Sequence, residues 1–156
     1  MGDADLLVPV LDRLGCETIF HGVAMQPGKP LLVARPRHGE RARLIFGLPG
    51  NPASVMVAYW LFVRPALERL LGISSRPWGT ALPGLLDAPL GEGKLRERFV
   101  PATWRVEGTE TRLTPISPQG SHDLLAFGKA TALLRIRPGA SRAPSGAPCE
   151  WMRLDG

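Results

Sequence analysis

Apolar residues in the first fifteen positions recur at the spacing of one helix face: Leu6, Leu7, Val10, Leu11 and Leu14. Gly15 follows directly, at the position where a helix commonly ends in a left-handed backbone conformation. The pattern therefore predicts an amphipathic helix over residues 4–15, with its apolar face turned toward a core.

Short apolar runs bounded by turn residues follow this helix. Residues 17–24 combine β-branched and aromatic side chains and stop at 26–30, where Pro and Gly stand at the centre of a turn. Residues 31–34 and 43–46 are two more such runs, and the polar stretch 35–41 between them is typical of a solvated hairpin tip. The sequence therefore predicts three short strands after the first helix.

The stretch 47–52, Gly-Leu-Pro-Gly-Asn-Pro, joins the third of these strands to a second predicted helix. Asn51 is a strong helix N-cap, and Pro52 suits the first helical position. Residues 53–71 continue with a helical pattern. Because proline lacks a backbone N–H, Pro65 is expected to kink or divide this helix.

The composition of the chain changes after Gly72. Residues 73–90 are rich in Pro, Gly and Ser, and short strand-like runs follow near 95–106, 111–116, 131–137 and 149–154. We predict an α/β part over 1–72, followed by a separate small all-β, barrel-like domain over 73–156.

Composition narrows the class of protein. The 156 residues are 44% hydrophobic, which suffices for one core or two small ones, and 18 Gly with 16 Pro largely exclude a helical bundle. The net charge is +5, and most of the 19 basic residues are arginine, whose planar guanidinium suits phosphates and other oxyanions. No long Lys/Arg run or aromatic stacking surface supports nucleic-acid binding.

The sequence also predicts a soluble, cytoplasmic protein. Cys16 and Cys149 are far apart and belong to no metal-binding pattern, so free thiols in a reducing compartment are expected. The first five residues are acidic where an export signal would be basic. The most apolar window, 55–63, is far shorter than the ~20 residues that cross a membrane.

The turn over residues 47–52 is the most informative local feature for function. Its glycines allow a ligand to approach backbone N–H groups, and the start of the following helix favours negative charge. Such a turn can hold an anion, and an ordinary strand-to-helix connection is the alternative.

Three stretches occur in an order that resembles the molybdopterin molybdotransferase family, the MoeA and gephyrin E-domain type: Gly-Val-Ala-Met-Gln-Pro-Gly-Lys-Pro at 22–30, Phe-Gly-Leu-Pro-Gly-Asn-Pro-Ala-Ser at 46–54 and Leu-Phe-Val-Arg-Pro-Ala-Leu at 61–67. Gly-Asp-Ala-Asp near the start and Gln-Gly-Ser-His at 119–122 resemble further family motifs. The resemblance covers nearly the whole chain and identifies it with the C-terminal portion of the family, because the family's Thr-x-Gly-Gly phosphate-binding stretch is not in it. It implies that residues 1–72 are part of a layered molybdopterin-binding α/β domain.

The resemblance also implies a reaction of molybdenum cofactor biosynthesis. In the family, molybdate is inserted into adenylylated molybdopterin, AMP is released and Mg²⁺ takes part. The expected cofactor is therefore Mg²⁺, and the expected substrates are adenylylated molybdopterin and molybdate. The expected partners are these small anions, a second copy in a homodimer, and a missing N-terminal portion or partner chain; neither nucleic acid nor a membrane is expected.

Lys29 matches the second lysine of the family's Lys-Pro-Gly-Lys-Pro turn, and the resemblance implies a catalytic, anion-binding role for it. Gln26 stands where the family has the first lysine, which removes one positive charge. Asp5 is implied as catalytic, and Asp5 and Asp3 are implied as Mg²⁺ ligands. Helix N-capping is the alternative for both aspartates.

The resemblance assigns further contacts to the cofactor or substrate: Gly28, Pro49, Gly50, Asn51, Pro52, Ser54, Arg98 and Ser121. Capping alone is the alternative for the 47–52 turn, and turn chemistry is the alternative for Ser121. Arg96 is expected to be a surface arginine. Ser121, His122 and Asp123 do not form a catalytic triad, because consecutive residues project to different sides.

The chain is thus expected to be a molybdopterin molybdotransferase in the form of an incomplete fragment. Two alternatives stay open. A molybdopterin adenylyltransferase-type protein shares the α/β domain, but that type lacks a C-terminal β-domain such as 73–156. A non-catalytic molybdopterin-binding or scaffold module is the other alternative.

Overall fold

The computed structural model describes residues 6–38, 43–73, 82–117 and 124–154. Its helices are α1 (Leu7–Arg13), α2 (Pro52–Ala58), α3 (Arg64–Leu70) and α4 (Leu124–Gly128). Its strands are β1 (Cys16–His21), β2 (Met25–Gln26), β3 (Leu32–Pro36), β4 (Ile45–Gly47), β5 (Leu82–Leu86), β6 (Glu97–Glu107), β7 (Glu110–Pro115), β8 (Ala132–Ile136) and β9 (Pro148–Arg153). None of the described helices is long and apolar enough to cross a membrane.

A small antiparallel sheet in the order β1–β3–β4 forms the core of the first part. The middle strand, β3, is buried over its first three residues. Helix α1 packs on this sheet through Leu11, its one buried residue, which joins Cys16 and Leu32 in a small apolar cluster. Gly15 ends the helix with a φ of +72°, as the sequence predicts.

The second predicted helix is divided at the expected place. A π-helical turn, Tyr59–Val63, joins α2 to α3, and the Arg64 N–H bonds to the carbonyl of Tyr59, five residues back. Pro65 follows directly in α3, and because it has no N–H, a carbonyl one turn earlier receives no helical hydrogen bond from it. The wider turn therefore accommodates the proline without ending the helix.

Strands β5 to β9 close into a five-stranded barrel. They follow the order β6–β7–β5–β9–β8, and β8 pairs back with β6. Leu86, Leu113, Leu134 and Trp151 are among the side chains that fill the barrel. The one helix described after residue 95, α4, has five residues and is shorter than two turns. The predicted class, α/β followed by a small all-β barrel, is confirmed.

Strand β5 lies inside the Pro-, Gly- and Ser-rich stretch 73–90, over which the sequence pattern predicts no strand, because Pro83 and Gly84 weaken the strand signal. In the barrel the glycine is required by space: a Cβ at Gly84 would overlap Leu113 and lie 2.9 Å from Trp151 Nε1. The same Nε1 donates a hydrogen bond to the Pro83 carbonyl at 3.2 Å. Pro83 and Gly84, which weaken the strand signal of β5 in the sequence, are thus the residues that accommodate Trp151 inside the barrel.

Strand β2 connects the two parts of the chain. It lies within the connection between β1 and β3 and pairs in parallel with β6, so that Met25 lies opposite Glu97 and Gln26 opposite Arg98. One apolar core draws on both parts, with Met25, Leu31, Ala53, Val57, Ala58 and Leu61 from the first and Phe99, Phe127, Leu133 and Met152 from the second. The two parts share buried side chains, and the division into 1–72 and 73–156 stays a proposal.

Candidate functional site

A cleft of about 690 Å³ opens where the β1–β3 connection, the start of α2 and the start of β6 meet. Both parts of the chain therefore contribute to it. Its apolar lining includes Met25, Phe99, Pro101, Phe127 and Ile136. A concave space of this size with an apolar lining and a few polar groups is typical of a small-molecule site.

The turn over residues 27–30 forms one wall of the cleft. Its backbone is held by the Val23 N–H, which donates to the Lys29 carbonyl at 2.8 Å. Gly28 has a φ of +107°, and a Cβ there would lie 2.5 Å from Met25 Cε and 3.7 Å from the Ser54 carbonyl oxygen. Glycine alone adopts this conformation readily. The turn therefore presents Lys29 at a defined place beside the start of α2.

The N-terminus of α2 forms a second wall. Asn51 Oδ1 accepts hydrogen bonds from the N–H groups of Ala53 at 3.0 Å and Ser54 at 3.4 Å, and Pro52 is the first helical residue. Asn51 and Ser54 also line the cleft, and Ser54 is 7% exposed. Asn51 thus caps α2, which is the alternative role considered for it from the sequence, and it also borders the cleft.

Three basic side chains line the cleft: Lys29, Arg96 and Arg98. Lys29 and Arg96 are exposed, whereas Arg98 is partly buried and its Nη1 donates to the Glu92 carbonyl at 3.0 Å. The lining contains no Asp or Glu among the residues that the structure describes. A cleft with one sign of charge and low-dielectric walls concentrates ligands of the opposite sign. Its chemistry therefore suits an anion.

Arginines elsewhere in the fold are engaged with carboxylates. Arg35 pairs with Glu17 at 2.5 Å and Arg64 with Glu68 at 2.7 Å. On the barrel, a hydrogen bond to Asp87 raises the pKa of the Arg105 guanidinium above its ordinary value. Within the described ranges, the three basic residues of the cleft have no such carboxylate partner. Their charge is therefore available to a ligand.

The structure brings five of the predicted contact residues to this cleft: Gly28, Lys29, Asn51, Ser54 and Arg98. The other predicted residues of the 47–52 turn, Pro49, Gly50 and Pro52, adjoin the cleft in sequence without lining it. Pro49 is buried, and Gly50 and Pro52 are exposed. Asp3, Asp5 and Ser121 lie outside the described residues, as do His122 and Asp123. The roles of all these residues stay predictions.

Sequence reasoning missed part of the lining. Arg96 is exposed, as expected of a surface arginine, but it also borders the cleft. A usable signal was present in the sequence, because a strand was predicted near 95–106, residues two apart on a strand point to the same side, and Arg98 was already a candidate. In the structure β6 begins at Glu97, one residue after Arg96. Phe127 on α4 had no such signal, since only the folded chain brings it next to Phe99 and Met25.

The described residues do not fit a resident Mg²⁺ ion. Over 6–38, 43–73, 82–117 and 124–154, no group of three or more His, Cys, Asp or Glu side chains is arranged to hold a metal. Mg²⁺ prefers oxygen ligands, usually carboxylates. The predicted metal ligands Asp3 and Asp5 are outside these ranges, so the metal site stays a prediction.

Comparisons with known proteins match both parts of the chain. Residues 1–69 match the family model described as a probable molybdopterin binding domain, and residues 84–154 match that of the MoeA C-terminal region, domain IV. The chain is 34% identical over 161 residues to a molybdopterin molybdenumtransferase of Synechococcus elongatus, which covers 99% of this chain and 36% of that protein. It is 36% identical over 112 residues to gephyrin of Dictyostelium discoideum, covering 64% of this chain and 15% of gephyrin.

A solved structure gives the same result at the level of the fold. The molybdopterin biosynthesis MoeA protein of Pyrococcus horikoshii superposes with a TM-score of 0.74 at 30% identity, over 98% of this chain and 36% of that one. The chain thus spans roughly a third of the length of the Synechococcus and Pyrococcus relatives. Because two family models match it in succession and relatives align along almost its whole length, the chain belongs to the MoeA and gephyrin family of molybdenum cofactor biosynthesis.

Proposed function

We propose that the cleft binds the anionic groups of adenylylated molybdopterin and of molybdate, as part of the site at which molybdate is inserted and AMP is released. The observation that carries this proposal is the set of three basic side chains, Lys29, Arg96 and Arg98, around a cleft whose described lining has no carboxylate. The names of the relatives support the choice of substrate over other anions of similar charge.

The two parts of the chain supply different contacts in this proposal. Lys29, on the Gly28 turn, provides a flexible ammonium for an oxyanion or phosphate, and Arg98 provides a planar fork of donors from the barrel side. The apolar lining around Phe99 and Phe127 provides a surface for the ring system of the ligand. A ligand that bridges the cleft would thus contact both parts at once.

Catalysis by this chain alone is a separate question, because the chain matches 36% of the length of the Synechococcus relative. We propose that residues 1–156 supply part of the transferase site. When they are tested without the family's Thr-x-Gly-Gly phosphate-binding stretch, binding should be weaker by several kcal/mol, which corresponds to about a thousandfold in Kd or more. The expected Mg²⁺ requirement rests on Asp3 and Asp5.

Calorimetry with molybdopterin, with and without Mg²⁺, tests this proposal. We expect weak binding that raised salt weakens further, because the contacts are electrostatic. Lys29→Ala should weaken it by about tenfold, the value of one hydrogen bond to a charged group. Lys129→Ala is the matched control, since Lys129 is also exposed and does not line the cleft. Equal losses in the two variants would refute the assigned site, and molybdate insertion by this chain alone would refute the fragment interpretation.

The proposal includes a protein partner. Helix α1 and its two capping residues expose a row of apolar side chains, including Leu6 at 69%, Val10 at 46% and Leu14 at 71%. Leu7 of the same helix packs over Gly47 of β4, a strand with one neighbour among the described strands. We propose that polypeptide equivalent to the unmatched part of the relatives covers α1 and the free edge of β4. A homodimer through this surface is the alternative, and light scattering over a range of concentrations distinguishes the two.

The match of residues 84–154 to MoeA domain IV favours the molybdotransferase over the adenylyltransferase type. A non-catalytic binding module is the alternative, and it predicts ligand binding without turnover when the partner polypeptide is supplied. We place the protein in the cytoplasm, in keeping with its two free cysteines, Cys16 and Cys149.

A further inference from the structure

We infer that Gly93 is a positioning residue for Arg98. In this inference the lack of a side chain at Gly93 lets the loop between β5 and β6 lie against residues 137–140, and the loop then holds the Arg98 guanidinium at the cleft through the Glu92 carbonyl. The inference rests on the proposed function, which makes Arg98 an anion ligand.

Backbone hydrogen bonds tie this loop to the segment before β9. The Gly93 N–H donates to the Ala140 carbonyl at 2.7 Å, and the Gly139 N–H donates to the Lys94 carbonyl at 3.2 Å. Earlier in the loop, Leu90 and Ala143 exchange hydrogen bonds in both directions, at 2.8 and 3.0 Å. The loop is thus fastened on both sides of Glu92, so the position of the Glu92 carbonyl is set by the segment opposite.

Gly93 makes this close approach possible. A Cβ at that position would overlap the Arg137 carbonyl oxygen and lie 2.6 Å from the Ala140 nitrogen and 3.0 Å from the Gly139 nitrogen. All three are backbone atoms, which cannot turn away as the end of a flexible side chain can. Gly93 is not among the glycines with positive φ, so the requirement is for space and not for an unusual backbone conformation. Any side chain here would push the loop outward.

The Glu92 carbonyl in turn fixes the position of the Arg98 side chain at the cleft. It accepts a hydrogen bond from Arg98 Nη1 at 3.0 Å, which fixes one edge of a planar group with five donors. An arginine that is already oriented loses less side-chain freedom when an anion binds. Arg96, two residues earlier, has no hydrogen-bond or carboxylate partner identified within the described ranges, so the two arginines differ in pre-organisation.

NMR of the arginine side chains tests the inference without any ligand. In the parent protein, the Arg98 Nε–H signal, assigned by its loss in Arg98→Lys, should report a more ordered side chain than that of Arg96. Gly93→Ala should shift and broaden it. Gly128→Ala should leave it unchanged, because Gly128 is exposed and a Cβ there meets nothing within 4 Å. Equal mobility of Arg96 and Arg98 in the parent would overturn the inference even if Gly93→Ala failed to fold.

A double-mutant cycle separates positioning from general destabilisation. With AMP as the calorimetric probe, Gly93→Ala should raise the Kd by about three- to tenfold, and it should raise it no further in an Arg98→Ala background. Losses that simply add would mean that Gly93 acts independently of Arg98, and the inference would be wrong. Failure of AMP to bind the parent would contradict the proposed function instead, while the NMR comparison would still decide the role of Gly93.

Discussion

Gln26 of β2 lies directly opposite Arg98 of β6, in a parallel pairing that spans two residues on each strand. Among the described strands, this pairing is what joins the first part of the chain to the barrel sheet. It places a neutral residue where the resemblance expects a lysine, beside an arginine that lines the same cleft. The charge of the anion site is therefore lower by one on the side of β2.

Restoring that charge should strengthen anion binding. Gln26→Lys is expected to lower the Kd for AMP or molybdate by about two- to fivefold, since an exposed charge pair contributes up to ~1 kcal/mol. The gain should shrink as salt is added. Gln26→Met, which keeps the length without the charge, is the control in the same titration. No change with lysine would mean that the ligand lies away from β2.

Asn51 serves as both a helix cap and a cleft residue, and substitutions can separate the two roles. Asn51→Ala should lower the free energy of unfolding by about 1 kcal/mol, because the N–H groups of Ala53 and Ser54 lose their acceptor. Asn51→Asp should retain the cap but weaken AMP binding, since it adds a negative charge beside the cleft. Urea unfolding and calorimetry on the two variants provide the measurements. Unchanged AMP binding in Asn51→Asp would limit this residue to capping.

The conformation of Gly28 should make it intolerant of a side chain. Its φ of +107° is strained for any other residue, so Gly28→Ala is expected to cost about 1–3 kcal/mol of stability. The added Cβ would also displace the side chain of Met25. Gly50→Ala is the control for stability, because Gly50 has open space and no positive φ. Similar urea midpoints for the two variants would contradict this assignment.

The shared core predicts that the chain unfolds as one cooperative unit. Met25 is 2% exposed and packs with residues of both parts, so Met25→Ala should destabilise the protein by about 2–5 kcal/mol. Met25→Leu, with a similar volume, should cost less than about 1.5 kcal/mol. Differential scanning calorimetry should show a single transition in all three proteins. Two separate transitions in the parent would show that the parts fold independently.

Burial raises the pKa of the Cys149 thiol from its ordinary 9.0 to about 11. The unfolded chain releases this proton near pH 9 while the folded chain retains it, so stability should fall as pH rises from about 9 to about 11. Cys149→Ser should reduce that fall in urea titrations at pH 8 and pH 10.5. At pH 8, iodoacetamide should label Cys149 in the folded protein roughly a hundredfold more slowly than in the unfolded one. Equal rates, read by peptide mass spectrometry, would contradict the raised pKa.

Local signals in the sequence determine several elements independently of the tertiary fold. Gly15 at the end of α1 and Asn51 before Pro52 at the start of α2 act within one helical turn, so neighbouring residues suffice to specify them. Pro65 likewise marks the division between α2 and α3 because its missing N–H is a local property. The resemblance carried by residues 22–30 also implies that the Gly28–Lys29 turn is an anion contact, and that role stays a prediction.

Only the tertiary structure decided what those elements form together. Gln26 and Arg98 are far apart in the chain, and their pairing depends on the summed packing of Met25, Phe99 and Phe127 in one core. Strand β5 and the close approach at Gly93 also could not be predicted from local sequence. A glycine in either stretch is typical of a loop, and only the folded chain shows that neighbouring atoms leave no space for a Cβ at Gly84 or Gly93. Local sequence reports conformational preference, whereas the cleft arises from long-range contacts that no short window of sequence contains.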